Sequence, residues 1–332
     1  MTPEVMSDVT GGDVVRPARI RARSTLARSL TYVAILAIAA VLVAANQPFW
    51  LQLAIGIAIS ALLALAWDIL SRTGQISVGS AAFFGLGAYG TALLEPLVGI
   101  ALAWAGMVAV CAAAAALLGL VTLRLRRMYF AIATLGFTLS LQVVVLVFPD
   151  WTGGAGGIAP PLLAGGDPRW QAAAILGIVL VAAIISDALL SLRFRPAFFM
   201  IRTKPELAAA SGVPVVRTKI LAFIVSGVLA GLAGSCYGGL YGYVVPSDVF
   251  TLNWSVVPLA ASILGGMDTT LGPLLGALLM RGLEEGARHV IGGSGYQVVY
   301  GAIIILFVVA LPQGLVGLVR RLFAGGDKRA ER

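Results

Sequence analysis

The chain has 332 residues, 59% of them hydrophobic and only 11% charged, with a formal net charge of +8 and a mean hydropathy of +0.97. Soluble domains carry about 25% charged residues, so this chain has too little polar surface to dissolve as a globule and reads as an integral membrane protein. Its long unbroken apolar runs exclude a membrane barrel, whose strands alternate over about ten residues, and its positive charge reports topology rather than nucleic-acid binding.

In chain order, residues 1–29 form a basic tail with Arg16, Arg19, Arg21, Arg23 and Arg28. A signal peptide has a shorter basic region and a small-residue cleavage site, so the tail is read as uncleaved, cytoplasmic and partly disordered. Residues 30–319 form the membrane domain, with a long basic loop at 191–219, and residues 320–332 form a second basic cytoplasmic tail. Apolar segments fall at about 30–45, 49–70, 80–95, 100–123, 128–148, 170–190, 220–243, 251–264, 273–290 and 297–315. The expected fold class is all-α, a polytopic membrane helix bundle of about ten transmembrane segments. If every segment crosses from an inside N-terminus, 20 of the 23 Lys and Arg residues fall on the inside. That asymmetry follows the positive-inside rule and places both termini in the cytoplasm.

Two places predict broken or re-entrant helices. The first is "GQISVGSAAFFGLGAYG" at 74–90, with Gly74, Gln75, Ser77, Gly79 and Ser80 at its start. It imitates a phosphate loop, but Ser80 follows Gly79 where a P-loop needs Lys. The second is 251–264, at most 14 helical residues or roughly 21 Å, against a hydrocarbon core of about 30 Å. Gly265, Gly266, Asp268, Gly272 and Pro273 follow it. Non-helical backbone at membrane depth needs protein or a water-filled cavity around it, and paired interrupted segments point to a transport pathway. The two breaks are either equivalent points in pseudo-symmetric halves, around 49–148 and 220–315, or unrelated. Gln75, Ser77 and Ser80 are placed to serve either freed backbone or a passing solute.

Gly227, Gly231, Gly234 and Gly238 share one helical face and permit close helix approach. Gly272 with Gly276, and Gly282 with Gly286, repeat the spacing. Cys111 and Cys236 sit in apolar runs as small buried hydrophobes, and the single His289 has no ligand set for a metal. Asp68 and Asp187 lie near helix ends on the inside, as interfacial carboxylates or partners of a nearby Arg. Arg281, Glu284, Glu285 and Arg288 bring opposite charges together on one helix. They form either a self-neutralising set near the outer face, or a gate or docking surface. No metalloprotease, thiol-redox or nucleophile-elbow motif is present, so no enzyme and no nucleotide engine is visible. In the inner loop, "IRTKPELAAASGVPVVRTK" predicts a short helix from Pro205, stopped by Gly212 and Pro214. It reads as a docking helix for a soluble partner or as an ordinary interfacial helix.

The blocks "GQISVGSAAFFGLGAY" (74–89), "YFAIATLGF" (129–137), "WTGGAGGI" (151–158), "AFIVSGVLAGLAGSCYG" (222–238) and "ILGGMDTTLGPLLGA" (263–277) occur in this order. Together they resemble the M-type permease subunit of ABC importers for branched-chain amino acids. The family often has His at Ser80, Asn or Asp at Gly156, and Gly at Asp268. The resemblance implies a permease in the bacterial inner membrane with no cofactor of its own. Its implied partners are a second permease subunit, two cytoplasmic ATPase subunits that bind ATP, and a periplasmic substrate-binding protein. It places ATPase coupling between about Phe198 and Val213, on Arg202, Glu206, Ala208, Ala209 and Gly212. Relatives that import urea, short amides or sugars leave other small polar solutes open. A self-sufficient channel or secondary carrier is the alternative from a different class, disfavoured by the lack of a mid-membrane carboxylate network.

Overall fold

The computed structural model describes residues 32–33, 37, 47–125, 127–190, 194–291, 301–302, 304–306 and 314–317. Both tails, and most of the expected segments 30–45 and 297–315, lie outside these residues. The described helices are α1 (Pro48–Ser71), α2 (Ser80–Val98), α3 (Ile100–Thr122), α4 (Arg127–Val147), α5 (Pro149–Thr152) and α6 (Pro168–Leu189). They continue as α7 (Arg195–Thr203), α8 (Pro205–Ala210), α9 (Val215–Tyr241), α10 (Pro246–Val249), α11 (Asn253–Gly265) and α12 (Leu271–Ile291). The fold is an all-α polytopic bundle.

Seven helical stretches among the described residues are long and apolar enough to cross a membrane. These are α1, α2, α3, Met128–Val147 of α4, α6, α9, and α10 with α11 taken together as Pro246–Gly265. They correspond to seven of the ten expected segments; most of 30–45 and 297–315 lies outside the described residues. The segment at 273–290 is a helix of full length, α12 with 21 residues, but four charged side chains in its second half keep it out of the apolar class. The segment at 251–264 forms a helix of 13 residues, as short as expected, and the turn α10 before it supplies the missing length.

Burial explains the arrangement. In α1 the most apolar window is 83% enclosed by other helices, against 22% in α3 and α4. α1 is the central post, packed against α6, α9, α11 and α12. α3 buries Ala103, Met107, Cys111, Ala115 and Gly119, one residue in every four. Ile100, Leu102, Val110, Leu117, Leu120 and Val121 face outwards, as expected for a helix bordered by lipid. α9 crosses α2 with the backbones in contact: a Cβ on Gly87 would lie 1.9 Å from the Gly231 carbonyl oxygen, and one on Gly234 would lie 1.8 Å from that of Phe84. Only glycine permits this approach.

Contact register gives the directions. Ala64 meets Ser262 and Asp68 meets Asp268, so α1 and α11 run side by side in the same sense. Phe83 meets Gly227 and Gly87 meets Gly231, so α2 and α9 do likewise. The end of α1, the end of α6 and the pair α7–α8 share one face of the bundle. At the opposite face the glycine loop at 153–157 is tied down by a two-residue bridge between Ile158 and Val244.

Candidate translocation site and its coupling face

The first break begins where α1 ends. Gly74 N–H closes a turn on the Ser71 carbonyl at 2.8 Å, and Gly74 has φ +82, a value that favours glycine. Residues 75–79 are not helical and lead back into the bundle. Trp67 Nε1 donates to the Ser77 carbonyl at 2.9 Å. Val78 N–H donates to Thr134 Oγ1 at 3.1 Å, and Gly79 N–H to Ser77 Oγ at 3.1 Å. α2 opens with Ala81 N–H donating to Ser255 Oγ at 3.0 Å. Backbone groups released by the break are thus satisfied by side chains, as a buried irregular segment requires. Ser255 stands ten residues before the end of α11, about 15 Å along the helix, so α2 starts halfway through the bundle. Gln75 and Ser80 are buried with Ser77. The Gln75 amide oxygen is the one buried side-chain acceptor without a hydrogen-bond partner among the described residues.

The second break joins α11 to α12. Gly266 has φ +113 and Asp268 φ +64. Asp tolerates this left-handed conformation better than most side chains, and its carboxylate is used. The hairpin is tight: a Cβ on Gly265 would lie 1.7 Å from the Gly272 carbonyl oxygen, and one on Gly276 would lie 1.8 Å from that of Ala261. Thr269 Oγ1 accepts from Gly272 N–H at 3.0 Å and so caps α12 beside Pro273.

The two breaks are joined by a polar network that the sequence did not reveal. Asp68 and Arg72 are fully enclosed, with Arg72 Nε donating to Asp68 Oδ2 at 2.9 Å. The other Asp68 oxygen accepts from Asp268 N–H at 3.1 Å. Arg72 also donates to the Ser186 carbonyl at 3.1 Å and to Ser186 Oγ at 2.8 Å. Ser186 Oγ lies 3.2 Å from Thr270 Oγ1, which donates to Asp187; Tyr32 OH donates to the same carboxylate. Asp68 and Asp187 are therefore both partnered, and the i,i+4 spacing of Asp68 and Arg72 was the one local signal of this cluster.

Arg202 of α7 reaches the network from outside the bundle, with Nη1 donating to Asp268 Oδ2 at 2.7 Å. α7 lies under the breaks with Phe198 and Ile201 buried, and encloses with them a cavity of about 350 Å³ lined by Arg72, Arg195, Arg202 and Asp268. Sequence reasoning found α8 but not α7 as a separate helix. In α8, Ala208 is buried while Glu206 and Ala209 are exposed. Gly212, with φ +79, ends the pair.

The glycine faces separate on inspection. A Cβ on Gly231 would meet Cys111 Sγ at 2.5 Å, one on Gly227 would meet Phe83 at 3.0 Å, and one on Gly238 would meet Val244 at 3.2 Å. Gly282 and Gly286, expected to repeat the pattern, face open space, because α12 turns a different side to α11. Arg281 is also deeper than the outer-face position expected for it. It stands ten residues into α12, about 15 Å along, with Nε donating to Ser60 Oγ in mid-α1 at 2.7 Å.

A family model described as branched-chain amino acid transport system / permease component matches residues 49–308. The chain belongs to this permease family. Among its relatives, the high-affinity branched-chain amino acid transport system permease protein LivM of Escherichia coli is 30% identical over 285 residues. That match covers 76% of this chain and 66% of LivM, just under two thirds of the relative's length. The autoinducer 2 import system permease protein LsrC of Klebsiella pneumoniae is 32% identical over 274 residues, 76% of each chain. The high-affinity branched-chain amino acid transport system permease protein LivH of Escherichia coli is 27% identical over 113 residues, 34% of this chain and 36% of LivH. No solved structure gives a significant match. Both breaks, α7, α8 and the glycine crossing all fall inside the residues that the permease family matches.

Proposed function

We propose that this chain is one of two permease subunits of an inner-membrane importer for branched-chain amino acids, driven by separate ATPase subunits and supplied by a periplasmic binding protein. The observation that carries the reading is the Arg202–Asp268 pair. It ties a short helix on the basic face of the bundle to a break in the membrane path. In this reading that face is cytoplasmic, and an ATPase docked on α7 and α8 moves Arg202. The movement passes through Asp268 and Asp68 to the ends of α1, α6 and α12, and opens or closes the path beside the first break. The coupling positions are Arg202, Glu206, Ala208, Ala209 and Gly212. The path positions are Gly74, Gln75, Ser77, Gly79, Ser80, Gly265, Gly266, Asp268, Gly272 and Pro273. The unused Gln75 acceptor supports a polar path at the first break. The similarity to both LivM and LivH supports a second permease of the same family as the companion subunit.

The test is leucine uptake by a host lacking its own system, supplied with this chain and the subunits encoded beside it. Uptake is expected to require ATP, the binding protein and this chain together. Transport by the purified chain alone in liposomes would overturn the reading. A second reading, import of a different small polar solute, is favoured by the match to LsrC, which is as extensive as that to LivM. A cognate binding protein that takes such a solute and has no affinity for leucine would establish it.

A further inference from the structure

Four charged side chains on α12 line a small cavity away from the coupling face. The cavity, of about 200 Å³, lies between the first half of α1, the end of α9 and the second half of α12. Arg281 donates to Glu284 at 2.9 Å, and Arg288 reaches Glu284 at 3.2 Å and Glu285 at 3.9 Å. Arg281 and Glu284 keep only 25% and 18% of their side-chain surface exposed, and Arg281 stands at mid-depth against Ser60. Ionisable groups at that depth are costly and mark solute paths. The cluster holds two cations and two anions, so it is neutral overall while offering separated charges of both signs.

The geometry points to a station for a zwitterionic α-amino acid in this cavity. The solute carboxylate pairs with the Arg281 guanidinium and its ammonium with Glu284 and Glu285. Each replaces a partner the cluster already provides, so no charge is left without a counter-charge. A planar guanidinium suits a carboxylate through two parallel hydrogen bonds. An apolar side chain finds Phe49, Leu53 and Tyr241 on the other wall. Below Arg281 the Trp254 ring lies 5.9 Å from the guanidinium carbon and stacks on Phe84, which sits in the first turn and a half of α2. Arg281 thus links the cavity, through Trp254, to the helix that starts at the first break. Gly56, also in the wall, has open space where a Cβ would stand. The inference rests on the proposed importer function and assigns it a solute site.

The test uses the complete transporter in cells, with leucine as the solute. Arg281→Met and Glu284→Gln are each expected to lower the import rate at saturating binding protein by about tenfold or more, while Arg281→Lys, which retains the cation, recovers part of it. In Gly56→Cys, a membrane-impermeant maleimide should abolish the import that the untreated variant shows. The native Cys111 and Cys236 are buried and give little background. Membrane levels and ATPase binding are measured for each variant. Wild-type import rates in both charge variants, or full import after Gly56→Cys is modified, would overturn the site while leaving the importer reading intact. Failure of the wild-type transporter to import leucine would instead overturn the substrate reading, and the site with it.

Discussion

Arg72 and Asp68 are the two charged residues fully enclosed among the described residues. A lone charge in such a place costs several kcal/mol, and a pair is tolerated only when the remaining polar atoms also find partners. Here Ser186 and the Asp268 N–H supply them. Arg72→Met should therefore destabilise the protein by about 3–5 kcal/mol, because Asp68 is left buried without its cation. Adding Asp68→Asn should recover part of that loss, since no buried charge remains. Thermal unfolding in detergent measures both; equal stability of the single and double variants would show that Asp68 is not the cause. The residue scale was the least legible in the sequence. Asp68 and Asp187 were visible as carboxylates near helix ends, but their partners Ser186, Thr270 and Asp268 come from distant segments, and no local pattern links them.

At the scale of elements, close helix approach distinguishes glycines that look alike in sequence. Gly231 sits on Cys111 where α9 crosses α3, and its carbonyl lies beneath Gly87 of α2. Gly282, in a glycine pair of the same four-residue spacing, faces open space. Gly231→Leu should abolish or sharply reduce folded protein, because overpacking costs about 1–3 kcal/mol even where some adjustment is possible, and here the Cys111 and Met107 side chains, both fully buried, already stand 2.5 and 3.2 Å from where the Cβ would lie. Gly282→Leu should leave the yield of folded protein unchanged. Size-exclusion profiles of the two variants decide the matter, and similar profiles would mean that the α9 crossing is looser than its distances state. The long spans were legible because each is an unbroken apolar run. α7 was not, since "RPAFFMIRT" is short, flanked by charge and buries only Phe198 and Ile201 on one side. A nine-residue segment gives too few turns for an apolar period to stand out.

For the whole molecule, the proposed importer function assigns energy input to the face that carries α7 and α8 and the solute to the interior, with the second break between them. Asp268 is the joint, held in a left-handed conformation that glycine accepts more readily. Asp268→Gly should therefore fold normally while losing the Arg202 partner. An exposed pair of this kind contributes about 0–1 kcal/mol to stability, so the expected defect is in transport: ATP hydrolysis continues while leucine import falls. Import and hydrolysis measured side by side test this, and unchanged import per ATP would remove Asp268 from the coupling route. The sequence by itself determined the membrane class, the all-α bundle, the two glycine-marked breaks and the likeness to a permease family. These depend on composition, run length and local order, which survive without tertiary contacts. Only the tertiary structure decided that the two breaks share one buried network, that α7 is tied into it, and that Arg281 of α12 reaches the middle of α1. Those facts depend on which distant segments meet, and packing alone brings residue 68 to residue 268.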